Sequence, residues 1–473
     1  MKTKQTVGLF RRALLALGLA RGPARGRGRS ATLAAASLIA ASLIGLGAAH
    51  AATVPGEIML KLRVADAITP LLAKYGLTIK GRFGARPIFR LAFATPPADV
   101  HAVLAALLLE PDVLLAEENA INASPEARKN RVWAIGTAQD FAQQWAPAAL
   151  RLADAHKVST GAGVRIAVLD TGVDASHPLL ASRLLRGYDF VDGDLNPAEE
   201  GGRDDLGFGH GTHVAGIIAT AAPGAKIVPI RVLDRNGEGN AWVLAEAVLF
   251  VIDPDGNPTT DDGAHVINLS LGTPQRTEIF DTISHLASCS FPAVPDPLEP
   301  ENDISDPGYN ADKERCKYSR GAVVVAAAGN DASRRREFPA GEGAYGLAAV
   351  TASNQLGRLA AFSNFGSWVH LAAPGENITS SVPGICIAAN GVSGPCFGTW
   401  SGTSMAAPWV SATAALLRAH QPALSPVDVV NRLTDFTSLL RGDADVGQLD
   451  PVAALRKVAS DPEARPPSLP VRR

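Results

Sequence analysis

The sequence has few aromatic residues, no excess of basic residues and only four cysteines. Aromatic residues make up 5% of the 473 residues, whereas hydrophobic residues make up 47%, so a large core can be built from aliphatic side chains and alanine. Lys and Arg number 44 against 46 Asp and Glu, which gives a net charge of -2 and no surplus to neutralise a phosphate backbone. We therefore expect a folded protein that has no nucleic-acid partner.

Residues 1–51 carry the one strong charge asymmetry, because they contain eight Lys or Arg and no Asp or Glu. A basic region precedes an apolar run at 33–49, and Ala49-His50-Ala51 has the small-x-small pattern of a cleavage site. We predict a cleaved signal peptide over 1–51 and a secreted or periplasmic product. The alternative is a retained membrane anchor, but a run of about 17 residues is at the short edge of what spans a bilayer.

The four cysteines become informative in an exported chain, because disulfides form and persist in oxidising compartments. Cys386 and Cys396 are close in sequence, and Cys289 and Cys316 bracket an acidic, Pro-rich stretch. Of the three pairings that four cysteines permit, we predict the local one. A zinc site is disfavoured, because neither pair has C-x-x-C spacing and no histidine cluster accompanies them.

Hydrophobic periodicity divides the rest of the chain into two folded parts. Residues 52–122 predict a small α+β domain, and the polar, aperiodic residues 123–143 predict an exposed linker that proteases can cut. Residues 144–458 predict the larger domain, with an insertion at about 274–320 that is too long for an ordinary connection. The Pro-rich residues 459–473 predict a disordered tail.

The larger domain alternates short apolar runs with helical stretches. Fully apolar runs are typical of parallel strands that are covered on both faces, so we predict an α/β fold with a doubly wound, mostly parallel sheet and helices on both faces. Such sheets place reactive groups beyond the carboxyl ends of their strands, and Asp170, Ser270 and Asn330 follow such runs. The runs are 164–169, 227–232, 265–269, 322–328 and 347–351.

Three short segments contain the residue types of nucleophilic catalysis. Asp170 lies in Val-Leu-Asp-Thr-Gly at a strand end, and His210 lies in Gly-His-Gly-Thr-His-Val-Ala-Gly at a helix start. Ser404 lies in Gly-Thr-Ser-Met-Ala-Ala-Pro, in the first turn of an apolar helix whose dipole favours a developing anion. A serine hydroxyl is a weak nucleophile, so His210 would accept its proton and Asp170 would orient and stabilise the resulting cation.

These motifs, in the order Asp, His, Ser, resemble those of the subtilisin-like serine proteases over about residues 144–456. The resemblance implies a serine endopeptidase that forms an acyl-enzyme intermediate on Ser404, with Asn330 as a side-chain donor to the oxyanion. It also implies that an extended substrate pairs with the strand formed by Ser270, Leu271 and Gly272.

The resemblance further implies a zymogen that processes itself. Residues 52–122 correspond to a propeptide that assists folding and acts as an intramolecular inhibitor of the same chain. We expect a monomer that acts on proteins or peptides and needs no cofactor for its chemistry.

Glu337, in Glu-Phe-Pro-Ala, resembles the segment that lines the floor of the family's primary specificity pocket. A carboxylate there would favour Lys or Arg before the cut bond. In the opposing interpretation, Glu337 turns outward to one of the three cations before it, Arg334, Arg335 and Arg336.

Two features of the sequence bear on metal binding. Asp253, Asp255 and Asn257 offer hard oxygen ligands at alternate positions, but the loop lacks the closing Glu of an EF-hand. A structural calcium ion at this loop therefore remains one of two alternatives, the other being a solvated acidic turn. His213 is three residues from His210, yet the H-E-x-x-H pattern of metalloproteases is absent, which favours packing within a helix.

Two other classes of function compete with this interpretation. Asp-Thr-Gly at 170–172 is also the signature of aspartic proteases, but those enzymes need two such carboxylates, and the chain has one Asp-Thr-Gly and no Asp-Ser-Gly. A protease-like module without activity is the second class. It is disfavoured because Asp170, His210, Ser404 and Asn330 are all present.

Overall fold

A computed structural model of the chain describes residues 52–290, 307–387, 393–441 and 446–457. The predicted signal peptide, part of the predicted insertion and the predicted tail lie outside the described residues. Within the described ranges, no helix combines the length and the apolar character needed to cross a membrane.

The N-terminal part alternates strands and helices as an α+β unit. Along β1, Ile58, Leu60 and Leu62 are buried with the two helices of this unit, while Met59 is buried in a different cluster together with Trp242. The period of two therefore gives the sheet one face for its own helices and one face for the larger domain. In chain order the elements are β1 (Thr53–Leu62), α1 (Ile68–Tyr75), β2 (Leu77–Arg82), β3 (Ile88–Phe93), α2 (Val100–Leu107) and β4 (Val113–Ala123).

The strand β4 extends beyond this unit and pairs with the larger domain. The described strands of the N-terminal sheet follow the order β2-β3-β1-β4-β9, in which β9 (Glu238–Asn240) comes from the larger domain. The pairing of β4 with β9 is antiparallel, with Ile121 opposite Asn240 and Asn122 opposite Gly239. The two parts of the chain therefore share one sheet.

The large sheet is parallel throughout its described pairs, which confirms the predicted fold class. Its described strands follow the order β13-β12-β11-β10-β6-β8-β7. The strands β7 and β8, which follow β6 in the chain, therefore lie on one side of β6, and the later strands β10 to β13 lie on its other side. The strands are β6 (Arg165–Asp170), β7 (Tyr188–Asp189), β8 (Lys226–Arg231), β10 (Val266–Leu269), β11 (Val323–Ala327), β12 (Leu347–Ser353) and β13 (Leu371–Pro374).

Helices cover both faces of the large sheet. Ile166 and Val168 of β6 are buried with α6 and α10 on one face, and Ala167 and Leu169 with α7 and α8 on the other. The helices are α3 (Ala138–Gln143), α4 (Trp145–Ala149), α5 (Leu152–Ala155), α6 (His210–Ala221), α7 (Ala241–Ile252), α8 (Glu278–Ser288), α9 (Pro307–Ser319), α10 (Thr403–His420), α11 (Pro426–Asp435) and α12 (Pro451–Arg456).

The structure differs from two expectations about irregular segments. The predicted insertion at 274–320 includes α8, whose Ile279, Phe280 and Ile283 are buried against the sheet, so this part is a core helix. The predicted linker is exposed at 128–132 but buried at 123–127, because its first residues lie in a groove of the larger domain.

A small antiparallel sheet joins the linker to the larger domain. In the described residues it has the order β14-β15-β5, with β5 (Ala134–Gly136) supplied by the linker and β14 (Ile378–Ile387) and β15 (Ser393–Trp400) by the larger domain. The disulfides Cys386–Cys396, between β14 and β15, and Cys289–Cys316, between the end of α8 and α9, confirm the predicted local pairing.

Candidate active site

The three predicted catalytic residues lie together at the carboxyl edge of the large sheet. Asp170 is the last residue of β6, His210 is the first residue of α6, and Ser404 is the second residue of α10. Asp170 Oδ1 accepts a hydrogen bond from His210 Nδ1 at 2.7 Å. The three residues are fully buried. They lie where the strand order reverses, which is where open α/β sheets form their ligand crevice.

The hydroxyl of Ser404 is positioned by an irregularity in α10. Pro408 is four residues after Ser404 and has no N–H to donate to the Ser404 carbonyl group. That carbonyl oxygen instead accepts a hydrogen bond from Ser270 Oγ at 2.9 Å, and the Ser270 carbonyl oxygen in turn lies 3.2 Å from Ser404 Oγ. This reciprocal pair ties the start of α10 to the segment that follows β10.

The N-terminus of α6 is held by the carboxylate of Glu199. Its Oε1 accepts hydrogen bonds from the backbone and hydroxyl of Thr212 at 2.9 and 3.0 Å, and its Oε2 accepts from Gly209 N at 3.1 Å and the Thr171 hydroxyl at 3.0 Å. The N–H groups at a helix start lack partners within the helix, so a carboxylate satisfies them. Glu199 therefore connects α6 to Thr171, the residue that directly follows Asp170.

Asn330 follows β11 and presents its amide next to Ser404. The Asn330 Oδ1 atom accepts hydrogen bonds from the backbone N–H of Thr403 at 3.0 Å and from its hydroxyl at 3.1 Å. Because the amide oxygen is held in this way, the amide nitrogen faces the crevice. A donor at that position can stabilise an oxyanion that forms beside Ser404.

The centre of the site is filled by Glu126, a linker residue that the sequence did not single out. Its Oε2 atom accepts hydrogen bonds from Ser404 Oγ at 2.6 Å and from His210 Nε2 at 3.1 Å, and its Oε1 accepts from Asn330 Nδ2 at 2.8 Å. Glu126 is fully buried. One carboxylate therefore contacts the predicted nucleophile, the predicted base and the predicted amide donor at the same time.

This arrangement places His210 between two carboxylates. Burial alone would lower the pKa of His210, but Asp170 and Glu126 raise it to about 10. Burial would likewise raise the pKa of Glu126, yet hydrogen bonds from His210, Ser404 and Asn330 keep it below its ordinary value. Both ring nitrogens of His210 have carboxylate acceptors, so the imidazole carries both protons at neutral pH. In this state it cannot accept a further proton.

The segment that leads to Glu126 lies in the crevice as an extended strand. Gly272 exchanges two backbone hydrogen bonds of 3.0 Å with Ala123, and Ser124 N donates to the Gly237 carbonyl at 3.0 Å. The chain therefore runs between β9 and the segment Ser270-Leu271-Gly272, which the resemblance assigned to substrate pairing. Within this segment, the side chain of Leu271 is buried.

Glu337 points inward rather than toward the arginines that precede it. Its carboxylate accepts hydrogen bonds from Arg128 Nη1 at 3.2 Å and Arg128 Nη2 at 2.9 Å, and its side chain is 1% exposed. Burial raises the pKa of Glu337, and the Arg128 guanidinium opposes that rise. The side chains of Arg334 and Arg336 lie elsewhere, over the Phe365 ring and against the Gly341 carbonyl.

His213 is buried within α6, as expected for a packed residue. Its Nε2 atom lies 3.1 Å from the carbonyl oxygens of Ile378 and Gly398, and burial lowers its pKa to about 3. A neutral ring that donates to backbone carbonyls is a structural element rather than half of a metal pair.

The described residues contain two acidic clusters. Asp253, Asp255 and Asp262 bring carboxylate oxygens within 4.8 Å of one another, whereas the predicted Asn257 turns its Oδ1 atom to Thr259. The second cluster surrounds the guanidinium of Arg231, which donates a hydrogen bond to each member; the members are Asp189, Asp192 and Glu200.

Sequence reasoning missed Glu126, Arg128, Glu199 and Thr403. The contact from Glu126 to Ser404 joins residues 278 positions apart, and neither periodicity nor a short motif reports such a contact. Thr403 had a signal, because it directly precedes the serine and a hydroxyl there can bond a neighbouring amide. The other three had none.

Comparisons with known proteins agree on one family. The model of the subtilase family matches residues 161–447. The chain is similar to a thermophilic serine proteinase from Bacillus sp. strain AK1, with 35% identity over 67% of this chain and 66% of that protein. It is also similar to an extracellular protease from Xanthomonas campestris pv. campestris, with 31% identity over 83% of this chain and 67% of that protein. The chain thus spans about two thirds of the length of these relatives.

A solved structure supports the fold. Fervidolysin from Fervidobacterium pennivorans, described as a keratinolytic enzyme related to subtilisin, superposes with a TM-score of 0.63 over 85% of this chain and 61% of that chain. The sequence identity is 23%, so this likeness bears on the fold alone.

Proposed function

We propose, from the premise that this chain belongs to the subtilase family and carries its serine endopeptidase domain, that it hydrolyses peptide bonds in protein substrates through Ser404, His210 and Asp170. The observation that carries the proposal is the convergence of Ser404 Oγ, His210 Nε2 and Asn330 Nδ2 on the carboxylate of Glu126. A carboxylate resembles the acid product of peptide hydrolysis, so the same three groups can surround a reacting carbonyl.

The reaction follows from the roles of these groups. Once the crevice is vacated, Ser404 Oγ attacks the substrate carbonyl carbon as His210 Nε2 takes its proton, and Asp170 stabilises the imidazolium. The oxyanion receives hydrogen bonds from Asn330 Nδ2 and from the Ser404 backbone N–H, a group at the helix start that lacks a helical partner. His210 then protonates the leaving nitrogen, and water hydrolyses the ester by the reverse proton transfers.

An extended substrate fits the same crevice. The backbone bonds that Ala123 makes with Gly272, and Ser124 with Gly237, use groups that any peptide carries. A substrate strand can therefore replace 121–124 between β9 and the segment after β10 without a particular sequence. This supports endopeptidase action on unfolded or flexible protein segments.

The precursor is a latent form that processes itself. Glu126 holds His210 as a cation and occupies the place of the oxyanion, so the base is protonated and the crevice is filled. The N-terminal unit adds β4 to β9 and keeps the linker in place, which is the action of an intramolecular inhibitor. A cut in the linker at 123–143 releases this constraint.

Export to the periplasm or the medium accompanies this function. A relative is called an extracellular protease, and two local disulfides indicate an oxidising compartment.

A calcium ion at Asp253, Asp255 and Asp262 would be structural, since these residues lie in the loop after α7. If this ion is bound, excess chelator lowers the melting temperature of the wild-type protein and leaves that of Asp255→Asn unchanged. Equal melting curves of the wild-type protein with and without chelator would contradict a bound calcium ion.

The test of the proposed function is Ser404→Ala. We expect this variant to accumulate as the uncut precursor, to be inactive on denatured casein and to escape labelling by a serine-reactive phosphonate. Mass spectrometry of the N-terminus, in a protease-deficient host, separates autoprocessing from cleavage by another enzyme. Casein hydrolysis by the variant at the wild-type rate would contradict the assignment of Ser404.

A further inference from the structure

An ion pair lies beside the proposed nucleophile and is not needed for the chemistry of the triad. Arg128 follows Glu126 by two residues, and its guanidinium makes two hydrogen bonds with the Glu337 carboxylate. The Glu337 side chain is 1% exposed, whereas that of Arg128 is 27% exposed. The acid therefore lies at the inner end of a slot, and the cation enters from the side of the crevice.

Two glycines form the walls of this slot. A Cβ atom on Gly272 would lie 3.2 Å from Glu337 Oε2, and one on Gly329 would lie 2.6 Å from Glu337 Cγ. Gly329 also has a φ of 97°, which favours glycine. Side chains at either position would separate Glu337 from the crevice. The absence of Cβ atoms there keeps the carboxylate within reach of a group that enters the slot.

The walls also fix which part of a substrate meets the slot. Gly272 is two residues after Ser270, whose carbonyl oxygen lies 3.2 Å from Ser404 Oγ, and Gly329 directly precedes Asn330, the proposed oxyanion donor. The slot thus opens between the groups that flank the attacked carbonyl. The side chain of the residue that bears this carbonyl is the one placed to enter it.

A buried carboxylate requires a partner, and the linker provides it only while it remains in the crevice. Lys129 is anchored beside Arg128 by an ion pair with Asp331. When cleavage releases this segment, Glu337 loses its cation and would be left buried and unpaired, which is costly. Arg335 is a weaker electrostatic partner of Glu337 than Arg128 is; it is exposed, and no side-chain hydrogen bond joins it to Glu337 in the described contacts.

We infer that the Glu337 slot is a binding site for a guanidinium or ammonium group, occupied in the precursor by Arg128 and in the processed enzyme by an Arg or Lys side chain of the substrate, at the residue that bears the attacked carbonyl. This inference rests on the proposed function. It assigns the substrate class to polypeptides with exposed basic residues. Arg is favoured over Lys, because a guanidinium can form two parallel hydrogen bonds with a carboxylate.

The first experiment uses the processed wild-type enzyme and four peptides that differ only at the residue before the cut bond, which is Arg, citrulline, Lys or Leu. Citrulline has the shape of Arg without its charge. We expect kcat/KM for Arg to exceed that for citrulline by about 10- to 100-fold, the range expected for a hydrogen bond to a charged group. Benzamidine, which carries an amidinium group, should inhibit competitively.

The matched variants are Glu337→Gln and Glu342→Gln. Glu342 is another buried glutamate on the same loop, and it pairs with Arg276 rather than with the slot. Glu337→Gln should bring the Arg to citrulline ratio close to one, whereas Glu342→Gln should retain the wild-type ratio. If Glu337→Gln does not mature, the wild-type ratio and benzamidine inhibition decide.

The outcomes separate this inference from the proposed function. An enzyme that is labelled by phosphonate at Ser404 but cleaves Leu or citrulline peptides as well as Arg peptides overturns the inference alone. An unchanged Arg to citrulline ratio in matured Glu337→Gln has the same effect. An enzyme that is neither labelled nor active on any peptide or on casein overturns both.

Discussion

The carboxylate of Glu126 accepts a hydrogen bond from the hydroxyl of Ser404 at 2.6 Å, although 278 positions separate the two residues. The same carboxylate oxygen lies 3.1 Å from His210 Nε2. In the proposed precursor, the group that covers the predicted nucleophile therefore has the charge and shape of the carboxylate product of peptide hydrolysis. Inhibition through this contact would be electrostatic as well as steric.

The protonation of His210 gives the first prediction. In the uncut Ser404→Ala precursor, NMR of the imidazole should show a cation at pH 8, because Asp170 and Glu126 raise the pKa of His210 to about 10. Glu126→Gln removes one of the two carboxylates, so its Ser404→Ala precursor should have a lower His210 pKa. A His210 pKa near the ordinary value of histidine in both proteins would contradict the proposed contact.

The pH dependence of precursor stability is the second prediction. The raised pKa of His210 stabilises the fold fully below its ordinary unfolded value, and this contribution is lost as pH rises through about 10. The lowered pKa of Glu126 stabilises the fold above the ordinary glutamate value, and this contribution is lost as the pH falls through its folded-state pKa. Chemical denaturation of Ser404→Ala should therefore show maximal stability between the ordinary pKa values of glutamate and histidine. Glu126→Gln should flatten both sides of the profile.

The oxyanion donor gives the third prediction. Asn330→Ala should lower kcat by about 100- to 1000-fold with little change in KM, because the donor acts mainly on the transition state. Thr403→Val removes the hydroxyl that holds the Asn330 amide but retains the Thr403 backbone N–H, so its loss of kcat should be smaller. Steady-state kinetics on one peptide compares the variants. A fall in kcat for Thr403→Val as large as that for Asn330→Ala would contradict a positioning role.

Glu199 gives the fourth prediction. Glu199→Gln replaces a carboxylate oxygen by a donor that faces backbone N–H groups, so the free energy of unfolding should fall by about 1 to 3 kcal/mol. The matched control is Glu200→Gln, whose side chain is 52% exposed and pairs with Arg231, and its effect should stay below about 1 kcal/mol. Both variants are compared by urea denaturation in the Ser404→Ala background. Equal losses in the free energy of unfolding for the two variants would contradict the role of Glu199 in holding the start of α6.

Gly402 gives the fifth prediction. A Cβ atom there would lie 1.6 Å from Glu126 Oε1 and 3.0 Å from Asn330 Nδ2, so Gly402→Ala should displace the carboxylate from the site. Gly394→Ala is the control, since nothing lies within 4 Å of the added atom. In the Ser404→Ala precursor, Gly402→Ala should lower the melting temperature and Gly394→Ala should not. Identical melting curves would show that the carboxylate is not held beside Gly402.

The extent of sequence-based prediction differs between the fold and the site. The apolar runs predicted the parallel sheet because each strand is buried on both faces, and the motifs around Asp170, His210 and Ser404 mark strand ends and helix starts that the fold brings together. Such features are local, and they can be identified from a short window of residues.

The partner of Glu337 illustrates what local reasoning cannot find. The sequence offered Arg334, Arg335 and Arg336 as neighbours, whereas the structure pairs Glu337 with Arg128, which is 209 positions away. Local reasoning considered only the cations near Glu337 in sequence, whereas the side chains of Arg334 and Arg336 lie over the Phe365 ring and against the Gly341 carbonyl. The groove contacts of Glu126 were inaccessible for the same reason.

The pairing of β5 with β15 affects what the enzyme becomes after the linker is cut. The strand β5 covers the edge of β15, and Phe141 stacks on Phe397 with ring centroids 4.6 Å apart. A cut before Ala134 leaves this strand on the enzyme. A cut after Gly136 would strip it away and expose the N–H and C=O groups of β15 as a template for other chains. We therefore expect the position of the new N-terminus to decide whether the processed protein stays dispersed at high concentration or self-associates through this edge.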